Sequence, residues 1–172
     1  MESSFENKQD IKPLRPKFLT FLCYLTIFGS SWIFVQSISS LSNPEQISLE
    51  FSKSLSQMQV QFEDAFKQDP ATGEKVEQLI VNAAAVNSTS NMRDHAFFAM
   101  VSNLLTLLGA MLMLRLKKNG FRLYLLGTLI SIIAPILVFG GTNLLGLAFA
   151  FYAGFFGVIF VILYAVKLKY ME

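Results

Sequence analysis

The chain has 172 residues, 53% of them hydrophobic and 15% charged, with 17 phenylalanines and a mean hydropathy of +0.48, which excludes an ordinary soluble domain and sets a membrane protein as the expectation. Four spans of about 20 residues each take up about half of the length and leave no room for a conventional catalytic domain. One cysteine and one histidine exclude an internal disulfide, and also a zinc site of the usual ligand count unless carboxylates or a partner chain contribute.

Residues 1–17 are polar and end in Lys12-Pro13-Leu14-Arg15-Pro16-Lys17, where two prolines disfavour helix and three cations adjoin the first apolar run. Residues 18–41 carry no charge and are long enough to span a hydrocarbon core about 30 Å thick. A cleaved signal would share the pattern, with Ser37 and Ser39 as small residues near a cleavage site; the length of the run and the three further spans favour a retained anchor.

Ser42-Asn43-Pro44-Glu45 then reads as a helix start, with Asn43 as cap, Pro44 in the first turn and Glu45 at the positive end of the dipole. Ile47, Phe51, Leu55, Met58, Phe62 and Phe66 recur at spacings of three and four, opposite Lys53, Gln57, Gln61 and Asp64, so this helix is amphipathic. Asp69-Pro70-Ala71-Thr72-Gly73 reads as a turn, and Val76, Leu79, Ala83 and Val86 form a weaker stripe on a second, shorter helix. The two predict a helical hairpin over residues 42–94, and Asn91 or Asp94 is placed to cap the helix that follows. Further uncharged runs occupy residues 96–114, 123–139 and 144–166. The first is closed by a basic segment with an Asn119-Gly120 turn, the second carries Pro135 as an expected kink and exits at Gly140-Gly141-Thr142-Asn143, and Lys167 and Lys169 stop the third.

With four spans both ends share a side. Ten cations fall in the amino end, the 115–122 segment and the tail, against four on the opposite side, so the positive-inside rule predicts both termini in the cytoplasm and residues 42–94 outside.

Arg15-Pro16-Lys17-Phe18-Leu19-Thr20-Phe21-Leu22-Cys23, Arg115-Leu116-Lys117-Lys118-Asn119-Gly120-Phe121-Arg122-Leu123-Tyr124 and Leu163-Tyr164-Ala165-Val166-Lys167-Leu168-Lys169 resemble a group of small four-span membrane proteins of Bacteroidota-type bacteria. The resemblance covers the spans and their basic edges, roughly two-thirds of the chain by span length. It implies this topology and a location in the bacterial inner membrane, and it carries no activity.

None of the four apolar runs contains Asp, Glu, Lys, Arg or His, which disfavours proton relays, charge-coupled transport and intramembrane proteolysis. Among Gln36, Asn103, Thr106, Thr128 and Ser131, an amide such as Asn103 could line a solute path, but interhelical hydrogen bonding, typically worth about 0.6–2 kcal/mol, is the commoner reason for one. Gly127 and Ser131, the row of Gly146, Ala150 and Gly154, and the pair Ala153 and Gly157 lie one helical turn apart and read as packing faces or as docking faces for another membrane protein. His95 reads as an interfacial polar residue rather than a pH sensor or metal ligand, Cys23 as a packing residue, and the acidic residues near Asp69 as a solvated turn rather than a calcium loop.

The sequence therefore predicts an all-α fold: an integral membrane four-helix bundle with an extracytoplasmic helical hairpin between spans one and two. The expected role is non-enzymatic, that of an accessory or modulatory subunit of a larger envelope complex. It would contact another membrane or periplasmic protein through Phe51, Leu55, Met58, Phe62 and Phe66, and pack through Asn103, Gly127, Ser131, Gly146, Ala150 and Gly154. No cofactor, metal or nucleic acid is expected, and homo-oligomerisation stays open. The alternative is a small transporter or channel for a neutral or apolar solute.

Overall fold

The computed structural model describes residues 17–141 and 143–171. The lead-in over residues 1–16, with Lys8, Lys12 and Arg15 of the cation count, lies outside the described residues, as do Thr142, Glu172 and the side chains of 64–68, 70, 144 and 170, Phe66 among them. The described residues form helices α1 (Lys17–Ser42), α2 (Pro44–Gln68), α3 (Pro70–Ala85), α4 (Thr89–Leu114), α5 (Lys118–Phe139) and α6 (Leu144–Ala165), followed by a 3-10 turn over Leu168–Tyr170. Four of them, α1, α4, α5 and α6, are long and apolar enough to cross a membrane.

Their outer surfaces agree with that reading. Phe28 and Phe151 are each 74% exposed, and Trp32, Leu137 and Tyr152 are exposed as well, an apolar surface that water would not tolerate and lipid would.

α4 packs between α1 and α5, and α6 packs on α5. The contact of α4 with α5 is a backbone approach. A Cβ on Gly109 would sit 2.7 Å from the Gly120 oxygen, and one on Gly127 would sit 2.7 Å from the Ser102 oxygen. Gly120 therefore acts as a packing residue, which corrects the expectation of an Asn119-Gly120 turn: both residues lie inside α5. The reversal occurs instead at Arg115, Leu116 and Lys117. Leu116 takes φ 59°, and the nitrogens of Arg115 and Lys117 each bond the Leu112 oxygen at 3.0 Å, satisfying a carbonyl the helix end leaves open.

One end of the four apolar helices is closed by a core of Leu19, Leu22, Cys23, Met113, Tyr124, Tyr164 and Met171. α2 and α3 lie at the other end. Only Asp69 separates them, because Pro70 begins α3 and the Asp69 side chain caps it by accepting from the Thr72 nitrogen; the expected five-residue turn is thus mostly the first turn of a helix. Leu55 of α2 packs against Ile80 and Ala83 of α3, with Phe51, Val76 and Leu145 around them. Leu79, expected on the buried stripe, is exposed, and Ile80 takes its place.

The pair is tied back to the spans by polar contacts. Asn87 Nδ2 donates to the Ser48 oxygen at 2.9 Å and to Ser52 Oγ at 2.8 Å, and Asn143 Nδ2 donates to the Asn82 oxygen at 2.8 Å. Ser88, rather than Asn91 or Asp94, caps α4, accepting from the Asn91 nitrogen at 3.1 Å. This earlier start carries Arg93, Asp94 and His95 into the helix.

Candidate functional site

Toward the α2–α3 end the four apolar helices part around a cavity of about 560 Å³, within the usual range for small-molecule sites. α1 contributes Leu25, Gly29, Ser30 and Ile33; α4 contributes His95, Phe98, Ala99, Ser102 and Asn103; α5 contributes Tyr124, Thr128, Ser131, Ala134 and Pro135; α6 adds the aromatic wall of Phe149, Tyr152, Phe156 and Phe160.

The floor is a hydrogen-bonded seal. Tyr164 is fully buried, and its hydroxyl donates to the Leu22 oxygen at 3.1 Å. With its single proton spent there, the 2.8 Å contact to Thr26 Oγ1 must be a bond donated by the threonine. Tyr124 meets the Tyr164 ring edge-on, with centroids 5.0 Å apart. α1 and α6 are thus joined at the floor. Above it, Leu25 and Ile33 of α1 and Tyr152 and Phe156 of α6 are cavity walls and exposed surface at once, so the cavity opens sideways between these two helices.

Most of the polar side chains in the lining are already occupied by protein. The Thr106 hydroxyl donates to the Asn103 oxygen at 3.0 Å and therefore accepts from Ser30 at 2.9 Å, linking α4 to α1. Ser102 donates to the Gly127 oxygen, Thr128 to the Tyr124 oxygen and Ser131 to the Thr128 oxygen, at 2.8–3.0 Å. Asn103 and His95 are among the groups that retain capacity. Asn103 spends one N–H on the Ala99 oxygen of its own helix at 2.8 Å, and its amide oxygen makes no bond among the described residues. His95 makes no hydrogen bond among them either; its ring lies between Phe139 and Phe149, at 5.3 Å and 5.1 Å.

The expected site residues divide accordingly. Asn103, Thr128, Ser131 and Pro135 line the cavity, Thr106 lies behind it bonded to the lining Ser30, and Gln36 is exposed on α1 away from it. The expected interhelical bond of Asn103 is replaced by the bond to Ala99 in its own helix. Gly127 and Gly146 meet neighbouring backbone, Gly146 with a would-be Cβ 2.9 Å from the Pro135 oxygen; Ala150 is buried, and Gly154 has only ordinary contact with Ile132. Cys23 is a buried core residue. On α2, Leu55 is buried and Phe51 half-buried, while Met58 and Phe62 are 43% and 44% exposed.

Sequence reasoning missed His95 and Gly29 as cavity residues. The signal for His95 was its spacing of four and eight from Ala99 and Asn103, which puts all three on one face of α4; for Gly29 there was none. Among the described residues no group of three or more potential metal ligands occurs. No family model, curated protein or solved structure matches the chain.

Proposed function

We propose that this is a non-enzymatic inner-membrane protein that holds an apolar molecule, taken sideways from the bilayer, between its four apolar helices. The observation that carries the reading is the cavity itself: apolar and aromatic walls, a sealed floor, and a side opening between α1 and α6. The closed floor favours binding over conduction straight through. The resemblance to four-span Bacteroidota-type proteins and the bias of cations support an orientation with both termini cytoplasmic and α2–α3 outside, with the His95 end of the cavity toward the outer face.

Gly29 provides the test. It lines the cavity, yet a Cβ there meets nothing within 4 Å, so Gly29→Phe fills the space without displacing backbone. Native mass spectrometry of gently extracted protein is expected to show one apolar molecule per chain, lost in Gly29→Phe at unchanged helicity and melting. A natural chain that is released empty, or a Gly29→Phe variant that keeps its adduct, overturns the reading.

A second reading rests on α2. Met58 lies on the same apolar stripe as Leu55 and is 43% exposed, which suits contact with another envelope protein and an accessory role. The two readings are compatible, since a protein that senses a bilayer molecule needs an output. Crosslinking from Met58→Cys in native membranes discriminates: a defined heterologous product supports the accessory role, and an uncrosslinked monomer counts against it.

A further inference from the structure

The depth and the opening of the cavity together narrow what can fill it. On α6 the lining runs from Phe149 to Phe160, and on α5 from Tyr124 to Pro135. Each is twelve residues of helix, whose eleven steps of 1.5 Å make about 16 Å. Half of a hydrocarbon core of about 30 Å is about 15 Å, so the cavity is as deep as one leaflet.

It stops at the Tyr164–Thr26 seal, toward the closed end of the spans. Its side wall is missing where α1 and α6 separate, and Leu25 and Tyr152 continue from the cavity onto the lipid-facing surface. A molecule reaching this opening comes from the hydrocarbon phase. The serine and threonine hydroxyls that could hold a polar molecule at depth are already bonded within the protein. The polar group nearest the α2–α3 end is His95, set between Phe139 and Phe149, at the level where a lipid's ester and head group lie.

Resting on the reading of the cavity as a binding site, we propose that its occupant is one acyl chain of a phospholipid from the leaflet on the α2–α3 side. The chain lies between α1 and α6, its terminal methyl toward Tyr164 and its ester end toward His95. A lateral slot allows this arrangement, since the second chain and the head group stay in the bilayer while one chain is inserted.

The protein is reconstituted in phosphatidylglycerol and phosphatidylethanolamine vesicles doped with phosphatidylglycerol carrying a diazirine and an alkyne on one chain, and adducts are mapped by peptide sequencing after illumination. The proposal expects adducts on inward residues such as Ser131, Ala134 and Ala153, reduced at least tenfold in Gly29→Phe, while labelling of the outward Phe28 and Phe151 is unchanged. Asn103→Leu separates the chain from a compact molecule held by hydrogen bonds. A chain makes no bond at that depth, so inward labelling is expected to persist in the variant.

Labelling confined to outward residues overturns the proposal, as does inward labelling lost in a folded Asn103→Leu variant. If native mass spectrometry still shows a one-per-chain adduct sensitive to Gly29→Phe, outward-only labelling rejects the acyl chain and keeps the binding site. If no such adduct is found, both fail together.

Discussion

A Cβ added at Gly120 would lie 2.6 Å from the Gly109 oxygen and 2.7 Å from the Met113 nitrogen, whereas one at Gly29 meets nothing within 4 Å. The same substitution should therefore have opposite effects at two helical glycines. Gly120→Ala forces α4 and α5 apart at a contact made by backbone, and overpacking of this kind costs about 1–3 kcal/mol. Gly29→Ala gains helix propensity without a clash and is expected to be neutral or stabilising by up to about 1 kcal/mol. Reversible unfolding in mixed micelles measures both, and equal effects would mean that the glycine contact is not what holds α4 on α5. At the floor, Tyr164→Phe removes the bonds to Thr26 and to the Leu22 oxygen while keeping the ring. A loss of about 1 kcal/mol is expected, typical for a hydrogen bond between membrane helices; in the same variant, amide exchange around Leu22 should rise more than exchange around Asn103.

At the scale of elements, α3 owes its start to a charge. The Thr72 hydroxyl donates to Asp69 Oδ2 at 2.6 Å and its backbone nitrogen to Oδ1 at 3.4 Å, and these bonds, the side-chain one first, hold the Asp69 pKa below the ordinary aspartate value. The folded carboxylate thus binds its proton less tightly than the unfolded one. Its contribution is complete above the unfolded pKa and disappears as the pH falls through the folded one. The protection of the Thr72 and Gly73 amides, measured against their intrinsic exchange rates, should fall on acidification through that window, and Asp69→Ala should lower that protection at neutral pH and remove its acid dependence. This cap was half legible in the sequence. Asp69 and Pro70 mark a boundary in any reading, but whether residues 70–73 form a loop or a first helical turn depends on what α3 packs against, and the Leu55–Ile80 contact decides it. The spans were legible for a simpler reason: a run without charge, long enough for the hydrocarbon core, has no other stable place. The cavity was not. Helices apolar on every side carry no period, so their sequences do not say which face turns inward, and a gap between α1 and α6 exists only once the Tyr164 contact and the glycine contacts have set their rotation.

At the scale of the whole molecule, the cavity and the α2–α3 pair lie at the same end of the spans, and the side on which that end lies decides which leaflet the cavity meets. The orientation proposed from the cation count has the α4–α5 turn inside and α2 outside, and the chain is well suited to a direct test of it. Cys23, its sole cysteine, is 0% exposed in the core at the closed end, so it should stay silent to a membrane-impermeant maleimide, and any reporter cysteine is read alone. Ser56 and Asn119 are both exposed, the first on α2 and the second in the first turn of α5, and neither contributes to the cation count. In spheroplasts with an intact inner membrane, Ser56→Cys is expected to label at once and Asn119→Cys only after permeabilisation. The reverse pattern would invert the protein and turn the His95 end of the cavity toward the cytoplasm. Labelling of both before permeabilisation would break the four-span topology, because four crossings between α1 and α6 cannot leave these two positions on one side.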